Sequence, residues 1–201
     1  MKNTKVREVW LTRFVELLVP LFLEQKAKLP AKIRVSCGWP SKAATARSSK
    51  RRIGEAWSFK CSADNSHEIF LSPAMDDPIQ VGATLVHELV HVAVGVEHGH
   101  KAPFRRLAVA VGLTGKMTAT TAGDELKTRL HVLSKQLGPY PHAKLQPVEK
   151  KEEDKPGSRM IKVECQDCGC VVRMTRKWLD ATGAPICGCT GSGEERMQEA
   201  G

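Results

Sequence analysis

Residues 81–96 read VGATLVHELVHVAVGV, and His87, Glu88 and His91 are the only ionisable side chains in the run. Nearly every other position is apolar, so a helix here is buried over most of its surface. Side chains four apart on a helix lie one above the other. His87 and His91 can therefore aim two imidazoles at one point, with Glu88 beside them. Polar groups at such a depth cost free energy unless something satisfies them, so a buried helix has no bland use for all three. Two neutral imidazoles are good ligands for a divalent zinc ion. A carboxylate one residue round the helix is placed to act as a base on water held by such an ion. Asp76-Asp77-Pro78 starts this helix well, with acids near its positive end and Pro in its first turn. Gly95 ends it.

A catalytic zinc site needs a third protein ligand and an open position. Downstream the chain reads VGVEHGHKAPF over residues 94–104, which offers Glu97, His98 and His100. HExxH is the signature of zinc metallopeptidases. The metzincin extension of it requires Gly at position 94 and His at position 97. Those positions hold Val94 and Glu97, so that class does not fit.

Charge is unevenly distributed. Residues 1–60 hold 14 Lys/Arg and 4 Asp/Glu, a net +10, whereas residues 61–201 net −1, for a chain total of +9. The basic third favours an anionic partner, most economically nucleic acid, although charge alone also serves simple solubility. Its densest part is the polar loop around Lys42, Arg47, Lys50, Arg51 and Arg52, followed by Trp57 and Phe59. Cations beside aromatics suit phosphate contact and base stacking. A solvated loop leading into a strand with core aromatics has the same composition.

The apolar stretch from Trp10 to Leu23 carries Arg13 and Glu16, is too short to span a bilayer, and precedes no small-residue cleavage site. Five of the seven cysteines fall between Cys165 and Cys189, in metal-ligand spacing. Both features point to a cytoplasmic, reducing setting with no membrane contact.

Along the chain, helical period runs over residues 4–29 and strand alternation over 32–37. Two further strands are expected at 55–61 and 68–72; in the zincin architecture, which HExxH suggests, the edge of a strand ahead of the metal helix commonly pairs with extended substrate. Short helices follow at 104–111 and 124–137, joined by a Thr- and Gly-rich connection. The first domain is expected to close at 141, with a charged linker over 142–158 and a frayed tail over 191–201.

Between linker and tail, residues 159–190 carry Cys165-x-x-Cys168 and Cys187-x-Cys189. Four thiolates at two paired positions can close a tetrahedral structural site; Cys170 is a fifth thiol that could stand in for Cys168, although CxxC geometry favours Cys165 with Cys168. So small a module cannot build a sufficient core, and metal binding supplies its folding energy. The pattern resembles a zinc ribbon.

Taken together, the N-terminal helix, the small sheet, HELVH, the Gly99-His100 pair with Phe104, and the distal ribbon resemble the SprT/Spartan-like metallopeptidases, closest to small phage or bacterial forms. The resemblance implies an α+β, zincin-like core over residues 1–141. It implies His100 as the third ligand with His87 and His91, Glu88 as the general base, and two zinc ions, one catalytic and one structural. It further implies a protein substrate that is bound or crosslinked to DNA. Lys101 departs from the family, which often has Gly after that His. Two rival readings stand beside this one. The first is a nucleic-acid or transcription-associated zinc protein with a non-catalytic HExxH site, which would have no need of Glu88. The second is a metal-dependent hydrolase of a small substrate, which would need a closed pocket in place of a groove.

Overall fold

The computed structural model describes residues 6–41, 51–146, 160–189 and 195–199. Lys42, Arg47, Lys50 and most of the expected linker lie outside them. The class is mixed α+β. The chain divides into two compact units, Met1–Pro147 and Val148–Gly201.

In the first unit, α1 (Arg7–Glu24) buries Trp10, Leu11, Phe14, Leu18, Leu21 and Phe22, the stripe its sequence period dictates. It ends sooner than residue 29. Lys26 takes a left-handed φ of 56°, and the N–H groups of Lys26 and Ala27 bond back to Leu23 and Phe22. Those bonds satisfy carbonyls that the helix end leaves open.

Three strands follow: β1 (Ile33–Cys37), β2 (Gly54–Trp57) and β3 (His67–Leu71). They lie in the order β1-β3-β2, with β1 parallel and β2 antiparallel to β3. This corrects two expectations. The second expected strand stops at Trp57, because the Ser58 hydroxyl accepts the Lys60 N–H and turns residues 59–61 into a single 3₁₀ turn. The strand at 68–72 is central, with a neighbour on each side, so it has no edge to offer. Among the described residues the free edge nearest the His87 helix is that of β2.

That helix, α2 (Pro78–Val94), is capped by the Asp77 carboxylate, which accepts the N–H groups of Ile79 and Gln80 at 3.4 and 3.0 Å. Gly95 closes it at a φ of 100°. α3 (Ala102–Ala110) leads into a hairpin of β4 (Leu113–Lys116) and β5 (Ala119–Ala122), then α4 (Asp124–Leu137). The hairpin stands where an irregular connection was expected. The chain stays with this unit past residue 141: Tyr140 packs on Trp10 at 4.9 Å, and the His142 ring and Leu145 N–H both bond to the Pro73 carbonyl. No helix of the described residues is long and apolar enough to cross a membrane.

The second unit is a sheet in the order β7-β6-β8, built from β6 (Met160–Glu164), β7 (Val171–Thr175) and β8 (Gln198–Glu199), with α5 (Arg176–Thr182) after β7. Residues 198–199 thus form a short strand, and Arg196 bridges to Ile186, where a frayed tail was expected. Met197 is buried beside Val163, Cys165 and Cys187, and Arg176 pairs with Glu199.

α2 crosses its neighbours closely at Gly82. A Cβ there would stand 2.8 Å from Phe14 and 3.1 Å from Leu130, both fully buried. Gly82→Val should destabilise the first unit: overpacking costs roughly 1–3 kcal/mol, whereas a helix regains only about 0.5–1 kcal/mol on losing a glycine. A lowered thermal midpoint would show it; an unchanged one would mean that the crossing is loose.

Candidate metal centre

Periodicity, capping and packing bring three imidazoles together. His87 and His91 stand one turn apart on α2, and the loop closed by Gly95 and Gly99, the latter at a φ of 50°, returns His100 to the same point. The His100 Nε2 lies 3.2 Å from His87 Nε2 and 3.3 Å from His91 Nε2. Nitrogens each ~2.0–2.1 Å from a tetrahedral centre stand about 3.3–3.4 Å apart, so the trio fits a single ion. Phe104, fully buried on α3, packs against all three rings at 4.3–4.9 Å. Glu97 and His98, the other ligands that the sequence offered, lie exposed and do not join the cluster.

The rings are suited to be ligands because they are neutral. Burial, helped by the neighbouring His100, holds His87 down at about 4, and burial with the two other rings holds His91 at about 3. His100 is lowered by burial and by Arg52. The His91 Nδ1 is buried with no partner, whereas the His87 Nδ1 meets the Thr120 hydroxyl of β5 at 2.8 Å.

Glu88 lines the same opening. Burial pushes its carboxyl up to about 8; Glu55 adds to this, and Arg52 and the Ala56 N–H oppose it. The β2 register explains the Ala56 contact. Ser72 N–H donates to the Ile53 carbonyl, so by antiparallel alternation Ala56 turns its N–H away from β3, toward Glu88. Gly54 leaves room for the carboxylate: a Cβ there would strike a Glu88 oxygen and stand 2.7 Å from Thr84. Neither β2 contact is visible in the HELVH motif. The sequence signals, a Gly and a small residue two apart in a strand, were too slight to find.

The three imidazoles and Glu88 line an open cleft of about 1240 Å³. Its walls are β2 with Arg51 and Arg52 on one side, and the hairpin from Lys116 to Thr121 on the other. Arg52 bonds to Glu55 at 2.5 Å, and Ser41 bonds to the same carboxylate through its N–H and hydroxyl. Tyr140, His131 and His142 are not among the lining residues. Tyr140 is buried in the core against Trp10, His142 is bonded to Pro73 and Arg7, and His131 is exposed.

In the second unit, Cys165, Cys168, Cys187 and Cys189 cluster. The Cys165–Cys189 and Cys168–Cys187 sulfurs are 3.6 and 3.5 Å apart. That is far beyond a disulfide bond and close to the ~3.8 Å of four sulfurs about 2.3 Å from one ion. The backbone N–H groups of Cys168 and Asp167 pull the Cys165 thiol down to about 7, which favours the thiolate. Cys170 is exposed and outside the cluster; its carbonyl accepts the Cys165 N–H and closes the turn. Both groups of residues could hold metal ions.

Comparisons of the chain with protein-family models, curated proteins and solved structures find no match.

Elemental analysis of the intact chain should therefore find two metal equivalents, one for each cluster. Replacing His87 and His91 together by Ala should remove one, and Cys187→Ser should remove the other. Metal content unmoved by either change would contradict the two sites.

Proposed function

We propose that the chain is a zinc-dependent metalloendopeptidase acting on proteins, DNA-bound or DNA-crosslinked ones in particular. The observation that carries the reading is the placement of Glu88: a buried carboxylate beside three convergent, neutral imidazoles, in a cleft open along a free strand edge. An ion that only held the fold together would need no such carboxylate. The cleft's openness, and its boundary along β2, suit an extended chain better than a small molecule.

A zinc ion held by His87, His91 and His100 supplies Lewis acidity, toward a carbonyl and toward water. The remaining tasks fall to the protein. The outward groups of β2 other than the Ala56 N–H, which Glu88 takes, align an extended segment by strand addition. Glu88, fixed by the Ala56 N–H and the space above Gly54, takes a proton from the attacking water and returns it to the leaving amine; a divalent ion beside it would offset the burial that raises its pKa and favour the carboxylate form. In the second unit the four cysteines hold a structural zinc, whose binding stabilises a core as small as Val163 and Met197 with two of the cysteines.

Preference for DNA-bound substrates is supported by the resemblance to SprT-like enzymes and by the net +10 of residues 1–60. Arg51 and Arg52 bring part of that charge to the cleft. The zincin-like core, the DNA partner and a cytoplasmic location belong to the same proposal.

The test is incubation of the zinc-loaded chain with a DNA-binding protein, with and without DNA. Wild type should cleave it, and more so with DNA present. Glu88→Gln should keep its zinc and its fold yet lose roughly 10²–10⁴-fold in turnover, and Gly54→Ala should lose activity through displacement of the same carboxylate. Wild-type rates in zinc-loaded Glu88→Gln would overturn the mechanism, and the nucleic-acid-binding reading would replace it.

A further inference from the structure

We infer that Thr120 is a positioning residue: its hydroxyl accepts the Nδ1–H of His87 and so turns the Nε2 lone pair into the cleft before any ion arrives. The inference rests on the reading of His87, His91 and His100 as one metal centre. The contact is 2.8 Å long and joins residues 33 apart in the chain. A neutral imidazole carries one proton, and the partner of one nitrogen decides which nitrogen is the free ligand. His87 Nε2 faces His100 Nε2 at 3.2 Å. A proton on His87 Nε2 would occupy the point where the three nitrogens converge. A proton on Nδ1 leaves that point to lone pairs, and Thr120 is there to receive it. The hydroxyl is half-buried, so its own proton can still reach solvent.

β5 is built to hold this hydroxyl in place. Thr120 pairs with Gly115 across the hairpin, and the Gly123 N–H bonds to the Gly112 carbonyl at 2.9 Å, which ties the hairpin's base. The same strand packs against α2 and lines the cleft. The hairpin is thus both a wall of the cleft and the support of one ligand. His91, whose Nδ1 is buried without a partner, has no such support. Outer contacts of this kind are worth roughly 10–100-fold in metal affinity.

The test uses the full chain, with zinc as the probe. Long-range nitrogen–proton NMR of the metal-free wild type should show His87 as the Nδ1–H tautomer. Chelator competition should find zinc bound roughly 10–100-fold more weakly by Thr120→Val, with affinity restored by Thr120→Ser. Circular dichroism checks that each variant folds; should Thr120→Val not fold, the wild-type tautomer decides the matter. A wild-type Nε2–H tautomer at His87 would overturn the inference. So would wild-type affinity in Thr120→Val, or a Thr120→Ser as weak as Thr120→Val. All three results leave the peptidase reading standing. A wild-type chain that takes up no zinc at these histidines would overturn both.

Discussion

Three ionisable side chains sit on a helix that the rest of the first unit is packed around. α2 buries Val81, Leu85, Val86, Leu89, Val90 and Val92, and also Glu88 and His91. Burying the apolar set favours folding by about 25 cal/mol for each Å² removed from water. Burying the polar set opposes it, by ~1–3 kcal/mol for each group left unsatisfied. The surrounding elements read as responses to that cost. Three of them bring a polar atom, or make room, for a side chain of the motif.

β2 gives Glu88 a backbone N–H and, at Gly54, the space for its carboxylate. The hairpin gives His87 a hydroxyl. The loop after Gly95 supplies His100, and α3 supplies Phe104 as an apolar floor under all three rings. Burial keeps the rings neutral, so their lone pairs stay available, and at 3.2–3.3 Å they are arranged as donors to a common acceptor. In the second unit the same logic runs with sulfur. Its apolar core is small, and four cysteines cluster within it at distances that could hold an ion.

Much of this was legible in the residues. The spacing of His87 and His91 follows from the helical period alone, and the Asp77-Pro78 start and Gly95 stop follow from capping chemistry. The pairing of Cys165-x-x-Cys168 with Cys187-x-Cys189 also stands together in space. The choice of His100 over Glu97 and His98 rested on a likeness to a family, and the structure brings His100 to the cluster by a loop that spacing alone does not specify. The misreadings have local causes. Thr114 to Ala122 lacks the apolar alternation that marks a strand, because one face of the hairpin is exposed and the other meets a cleft. The strand at 67–71 looked like the edge because it precedes α2 in sequence, but β1 and β2 both pair with it. Residues 195–199 are polar apart from Met197, and that one side chain, buried in the core of the second unit, anchors the last strand.

The central claim is that His87, His91 and His100 hold one ion and leave Glu88 free beside it. Diffraction from crystals of the zinc-loaded chain, recorded on both sides of the zinc absorption edge, tests it most directly. The expected result is an anomalous peak about 2.0–2.1 Å from the Nε2 atoms of these three residues, with the Glu88 carboxylate outside bonding distance and still on the Ala56 N–H. A peak ligated by Glu88, Glu97 or His98, or no peak in the cleft while the four cysteines carry theirs, would contradict it.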